Sequence, residues 1–295
     1  MEKNELIVGS HVSMNSPDFF LGSVQEAISY GSNAFMFYTG APQNSYRKPL
    51  YELKINEGKE LINKSHISFD NIIVHAPYII NPANGEKADL VQLTRSMIIN
   101  ELQRTSAFGS SVLVLHPGAH VGQGVDVGID NLIECLNYVL SNDNTNVKIA
   151  IETMSGKGTE IGTTFNQINY ILNHVQKKER IGVCLDTCHI SDGGYSLNEF
   201  DNVLEQIENS FGIDKILVIH LNDSKNEKGS HKDRHENIGY GCIGFDVLNY
   251  IAHHNKLKNI PKILETPYID GKPPYKKEIA MLRQSQFENN WKDNL

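Results

Sequence analysis

Six apolar runs in this chain each stop on a residue able to hold a cation. His75 follows Ile72-Ile73-Val74, His116 follows Val112-Leu113-Val114-Leu115, and Glu152 follows Ile149-Ala150-Ile151. Asp186 follows Val183-Cys184-Leu185, His220 follows Ile216-Leu217-Val218-Ile219, and Glu265 follows Ile263-Leu264. One Asp after a strand is ordinarily a helix cap. Six such residues in succession, 34 to 45 positions apart, ask for a common cause. Carboxylates gathered in one place repel each other. Divalent cations remove that cost and take imidazole and carboxylate as ligands.

Three more donors adjoin these. His189 lies three residues past Asp186, and Asp233 and His235 share the stretch NDSKNEKGSHKDRHENIG. Asp-x-His puts both side chains on one side of an extended segment. One ion takes about four protein ligands, or three and a water, so nine donors suit two or three ions. Histidine and carboxylate favour Zn2+ or Mn2+ over Ca2+ or Mg2+. His11 ends an earlier apolar run and should face the same place as a support rather than a ligand. His66, His174, His253 and His254 read as surface residues on helices or their ends. His120 and His231 lie in adjoining loops and stay unassigned.

The elements that must position these donors recur along the chain. Short β-branched runs begin at Leu6, Ala34, Asn71, Ser111, Val147, Ile181, Ile216 and Lys262. Helical patterns begin near Ser23, Asn56, Ala88, Ile129, Thr164, Asn198, Phe245 and Tyr275. In the Ala88 segment, Leu90, Leu93, Met97 and Leu102 fall close to a helical apolar stripe. Strands apolar on both faces belong in a parallel sheet with helices around it. Eight such repeats favour a closed (β/α)8 TIM barrel, an α/β fold, over an open doubly wound sheet. The expectation is one domain spanning residues 1–295. A parallel barrel opens all its strand C-termini onto one rim, where barrel enzymes keep their chemistry. The donors would converge there.

Composition sets the remaining bounds. The chain has 295 residues, 40% hydrophobic and 21% charged, which suits a globular core and excludes disorder or a disulfide-stapled scaffold. Four irregularly spaced cysteines read as reduced thiols. Cys184 and Cys188 form C-x3-C, unlike the C-x2-C pairs usual at structural zinc, and Cys184 reads as a core residue of its strand. There is no apolar run long enough for a membrane span and no signal-peptide pattern near the start, so a cytoplasmic location is expected. Gly239-Tyr240-Gly241-Cys242-Ile243-Gly244 spells G-x-G-x-x-G but does not directly follow a strand, and is expected to shape a loop. The formal net charge of −8 at first argues against a nucleic-acid partner. Two or three divalent cations would offset half of it or more and concentrate positive charge at one rim, beside Lys225, Lys228, Lys232 and Arg234. Arg234, between Asp233 and His235, is well placed to hold a phosphate.

These residues resemble endonuclease IV, the metal-dependent apurinic/apyrimidinic endonucleases of base excision repair. HAPYIINPA from His75, GVCLDTCHISDGGY from Gly182 and HLNDSKNEKGSHKDRHENIGYGCIG from His220 carry the resemblance. GSHVSM, FYTGAPQNSYRKP, LHPGAH, AIETMSGKG and ILETP extend it over nearly the whole chain. The resemblance implies a xylose-isomerase-like metal barrel with three zinc ions, Mn2+ being possible in part. It implies one ion on His75, His116 and Glu152, a second on Glu152, Asp186, His220 and Glu265, and a third on His189, Asp233 and His235. It implies hydrolysis of the phosphodiester 5′ to an abasic site in double-stranded DNA, leaving a 3′-hydroxyl and a 5′-deoxyribose phosphate. Paired metal ions suit such an in-line displacement, and Glu265 with Glu152 would orient or deprotonate the attacking water. Tyr78 stands where the family has a tyrosine facing the target nucleotide. The loop after the second strand stands where the family has a DNA-penetrating loop; here Gln43 and Asn44 occupy a tip that is Arg in some members. Nothing in the sequence demands a partner subunit, and a monomer is expected.

Two other readings compete. A metal-dependent sugar isomerase or epimerase on a related barrel would use about four donors, and Glu152, Asp186, His220 and Glu265 would serve. That leaves His75, His116, His189, Asp233 and His235 without a role. A non-catalytic binding module leaves the complete set unexplained.

Overall fold

The computed structural model describes residues 5–295. Its core is a closed barrel of eight parallel strands: β1 (Val8–His11), β2 (Ala34–Tyr38), β3 (Ile72–His75), β4 (Val112–Leu115), β5 (Lys148–Glu152), β6 (Ile181–Asp186), β7 (Ile216–His220) and β10 (Lys262–Leu264). Each pairs with its sequence neighbour among the eight, and β1 closes against β10. All eight apolar runs became these strands, and the open-sheet alternative is excluded. The short pair β8 (Asp223–Ser224) and β9 (His235–Glu236) forms an antiparallel ribbon outside the barrel; sequence periodicity gave no sign of it, because each strand has two residues.

The surrounding helices are α1 (Phe19–Ser29), α2 (Ile55–Ile62), α3 (Ala88–Phe108), α4 (Val125–Asn142), α5 (Phe165–His174), α6 (Thr187–Asp192), α7 (Phe200–Ser210), α8 (Phe245–His253) and α9 (Tyr275–Gln284). Two begin about a turn earlier than their apolar pattern suggested, at Phe19 and Val125. The short helix α6 was not anticipated. It is capped by Asp186, whose carboxylate accepts the His189 amide at 2.7 Å. No helix is long and apolar enough to cross a membrane among the described residues.

The apolar stripe expected on α3 is only partly realised. Leu102 is buried, but Leu90 and Leu93 are exposed and Met97 is half-buried. The face turned inward carries Ile98, Leu102, Thr105 and Phe108 together with Arg95, Glu101 and Arg104. Buried polar residues replaced leucines there because α3 braces the loop after β2. Glu101 meets Arg47 Nε at 2.5 Å and accepts the Thr39 hydroxyl at 2.7 Å. Arg104 donates to the carbonyls of Thr39 and Lys48.

Strand alternation decides what enters the barrel. Ala34, Met36, Ile73, Val112, Val114, Ala150, Cys184, Val218 and Ile263 form one buried interior cluster. Their neighbours, such as Ile72, Val74, Ile149, Ile151, Val183 and Leu185, pack outward with the helices. Successive strand side chains alternate faces, so the residue two steps after an inward one also points inward. Two steps beyond Ile73, Val114, Ala150, Cys184, Val218 and Ile263 lie His75, His116, Glu152, Asp186, His220 and Glu265. The apolar plug of the barrel is the floor on which all six stand.

Candidate metal centre

Glu152 is the hub of the rim and is buried. Its Oε2 lies 3.2 Å from Nε2 of His75 and 3.1 Å from Nε2 of His116. Its Oε1 lies 3.1 Å from Nδ1 of His220 and 3.4 Å from Nδ1 of His189. His220 Nδ1 also stands 2.9 Å from Glu265 Oε2 and 3.8 Å from Asp186 Oδ2. His189 Nε2 lies 3.0 Å from Asp233 Oδ1, and His235 Nε2 lies 3.8 Å from both Asp233 Oδ1 and Asp186 Oδ2.

Donor atoms within 4.8 Å of one another fall into His75/His116/Glu152, Glu152/Asp186/His220/Glu265 and His189/Asp233/His235. All nine sequence candidates are brought together, with Glu152 shared between two groups. Two overlapping groups draw in cysteines, as Glu152/Cys184/His220 and Asp186/Cys188/His235. Both cysteines are free and fully buried, and burial raises both thiols, Cys184 to about 12.

The geometry around the imidazoles fits a cation. Three of them donate Nδ1–H to a main-chain carbonyl: His75 to Ala76 (2.7 Å), His189 to Thr153 (2.9 Å) and His235 to Glu265 (3.2 Å). That bond fixes Nδ1 as the donor and turns Nε2 toward the cluster, where a cation would take the place of its proton. His235 Nε2 is buried without a hydrogen-bond partner, although two carboxylates face it. The field at the rim is negative. Burial alone would lower His189 and His220, yet facing groups raise both well above the ordinary histidine value: chiefly Asp186 for His189, and Cys184, Glu265 and Glu152 for His220. Burial would likewise raise Glu152, but His220 and His116 hold it well below the usual carboxylate range.

His11 and Tyr38 complete the ring of inward rim residues, one from each strand. His11 packs its ring 4.9 Å from Tyr38, and Tyr38 lies 5.1 Å from His75. Burial pushes His11 down to about 4, against the opposing pull of Glu265. It stands outside the three donor groups. Tyr38 was missed, although the same two-step alternation from Met36 would have found it.

Asn222 was also missed. It lies two residues past His220, donates to Asp186 Oδ2 at 2.8 Å, and accepts the Glu265 amide at 2.7 Å. The glycine run Gly239–Gly244 wraps a carboxylate of this chain. The amides of Gly239, Gly241, Ile243 and Gly244 donate to Asp223, and a Cβ on Gly241 would stand 2.3 Å from the Ser224 carbonyl oxygen.

The residues expected to meet a large substrate lie in loops that follow barrel strands β2, β3 and β7. Tyr78 is exposed in the loop after β3, and Gln43 and Asn44 are exposed in the loop after β2. Arg47 braces that loop from within, its Nη1 donating to the carbonyls of Ala41, Asn44 and Tyr46. Lys225, Lys228, Lys232 and Arg234 are exposed, and Arg234 folds back to donate to the Asp233 carbonyl.

Comparison with known proteins agrees. Residues 24–285 match the family described as xylose isomerase-like TIM barrel. The chain is 53% identical to the probable endonuclease 4 of Staphylococcus aureus and 52% to that of Staphylococcus saprophyticus; each match covers 98% of this chain and 99% of the relative. Among solved structures, endonuclease IV from Thermus thermophilus superposes with a TM-score of 0.80 at 25% identity, over 94% of this chain and 97% of that one. A D-tagatose 3-epimerase-like protein superposes at 0.67 with 22% identity, over 94% and 96%, which is a likeness of fold. The chain belongs to the endonuclease IV family of xylose isomerase-like TIM barrels.

Proposed function

We propose that this protein, working as a monomeric single-domain barrel in the cytoplasm, cuts double-stranded DNA on the 5′ side of abasic sites by metal-assisted hydrolysis. The membership makes it a DNA-cleaving hydrolase of repair. The observation that carries the finer reading is the shared carboxylate Glu152, which joins two of three adjacent donor groups at the barrel mouth. His75, His116 and Glu152 would hold one ion, Glu152, Asp186, His220 and Glu265 a second, and His189, Asp233 and His235 a third, with zinc as the ion and manganese able to replace part of it. When bound, these ions supply positive charge to the scissile phosphate and acidify water.

The chain's own residues supply position. Glu265 has a partly exposed side chain, whereas Glu152, Asp186 and His220 in its group are buried. Glu265 is therefore the carboxylate of that group that meets incoming water and can orient it or take its proton. Asn222 fixes the Glu265 amide and the Asp186 carboxylate together, which limits how far either can swing. Tyr78, Gln43 and Asn44 line the approach on one side, and Lys225 and Arg234 supply phosphate contacts on the other. An abasic nucleotide has no base pair to break and costs less to extrude.

The sugar-isomerase reading needs the Glu152, Asp186, His220 and Glu265 group alone. It gives the other five donors no task, although all four of their histidines are held by Nδ1–H bonds or carboxylate contacts into the same cluster. A duplex with one abasic site decides. Nicking 5′ to the lesion with a 3′-hydroxyl product, and no cut in an intact duplex, is the expected result. A 3′ unsaturated aldehyde would mean lyase chemistry and overturn the proposal.

A further inference from the structure

Asp192 ends α6 and is fully buried, outside every donor group described above. Its carboxylate is surrounded by donors from the loop that carries Asp233 and His235. Oδ1 accepts the Ser224 hydroxyl at 2.7 Å. Oδ2 accepts the Asp233 amide at 2.9 Å and, at 3.5 Å, the Asn226 side-chain amide. The main chain adds two ties: the Asp192 carbonyl accepts the His231 amide at 3.1 Å, and the Ser191 carbonyl accepts the Gly229 amide at 2.9 Å. The loop from Ser224 to Asp233 is thereby fastened to the end of a helix whose beginning supplies Asp186 and His189.

The loop needs this fastening. His231 and Asp233 have φ of +53° and +54°, a left-handed conformation that costs a residue with a Cβ about 1 kcal/mol or more. The Asp192–Asp233 amide bond is the contact nearest the donor carboxylate, which stands 3.0 Å from His189 Nε2. Released from it, Asp233 would relax toward an ordinary backbone conformation and carry its carboxylate away. The first two donor groups have no such dependence, since strand ends and Asn222 hold them.

We propose that Asp192 is the positioning residue of the third donor group, setting the affinity of His189/Asp233/His235 for a divalent cation while leaving the other two groups unchanged. This rests on the metal-centre reading above. It separates Asp192 from a buried carboxylate that merely staples a surface loop, whose loss would lower stability without choosing among ions.

The test is equilibrium dialysis of the full chain against graded zinc–chelator buffers, followed by elemental analysis. Wild type should retain three zinc ions per chain, and Asp233→Ala two. Asp192→Ala should match Asp233→Ala, with affinity for the third ion roughly 10- to 100-fold weaker and the other two released at wild-type free zinc. Asp192→Asn keeps an oxygen to accept the Asp233 amide and should recover most of the third ion. Three ions at wild-type affinity in Asp192→Ala, or equal weakening of all three, would overturn the proposal. If Asp192→Ala does not fold, Asp192→Ser, whose shorter hydroxyl withdraws from the Asp233 amide, gives the same reading: selective weakening of the third ion supports the proposal, and unchanged affinities refute it. Wild type retaining fewer than three ions would instead strike the three-ion reading itself.

Discussion

Glu152 Oε1 stands 3.1 Å from His220 Nδ1, while Oε2 of the same carboxylate stands 3.1 Å from His116 Nε2. One buried side chain thus belongs to two donor groups. Removing its charge should damage both at once. Glu152→Gln is expected to lose more than one ion per chain and about 1000-fold or more in turnover, measured by elemental analysis and nicking kinetics on one preparation. Loss of a single ion with activity within tenfold of wild type would contradict the bridging role.

Glu265 faces the open side of its group. Glu265→Gln should lower turnover by roughly 100- to 10,000-fold while leaving the thermal midpoint within a few degrees of wild type. Near-normal turnover would remove it from the reaction.

Arg47 and Glu101 form a buried pair that holds the loop after β2 to α3. Arg47→Ala leaves the Glu101 carboxylate with the Thr39 hydroxyl as its close side-chain partner. Stranding a buried charge in this way costs about 3–5 kcal/mol, to be read from urea denaturation. A cost below about 1 kcal/mol would show that the pair is solvated in solution.

Burial raises Glu278 to about 7, despite bonds from the Thr266 hydroxyl, the Ile238 amide and the Asn237 side chain. The folded value lies above the unfolded one. Its contribution to stability is therefore full below about pH 4.5 and is lost as pH rises through about 7. Glu278→Gln should remove that dependence. Between pH 5 and 8 the wild type should lose on the order of 2–3 kcal/mol more than the variant, a difference in which the rim histidines cancel. Parallel stability profiles would contradict the buried, uncharged state of Glu278.

Lys225 is exposed on the loop that carries Asp233 and His235. Lys225→Ala should weaken abasic-duplex binding and reduce the slope of log affinity against log salt by about 1, with turnover at saturating DNA close to wild type. An unchanged slope would mean that this lysine touches no phosphate.

The sequence made the barrel legible because each strand lies in a short apolar run and each run stops on a polar residue. The same two-residue alternation that buries Ile73 or Val218 lifts His75 or His220 to the rim, so elements and donors were read from one pattern. What escaped lacked a period. Helix α6 has six residues and an all-buried surface, so no amphipathic stripe marks it. The β8–β9 ribbon is held by Asp192 and Asp223, whose partners are a hydroxyl, a side-chain amide and main-chain amides 16 to 41 residues further along the chain. Leu90 and Leu93 misled because α3 spends its inward face on Arg95, Glu101 and Arg104, a buried polar network that composition cannot distinguish from a solvated one. Tyr38 and Asn222 were within reach of the strand alternation but are not residue types that announce a metal.

The claim on which the rest depends is that nine side chains from seven segments form one three-ion centre. Elemental analysis of the full chain, purified without chelator and then dialysed against dilute zinc, measures it directly. The account predicts three transition-metal ions per chain. A single ion, unchanged by added zinc, would contradict it.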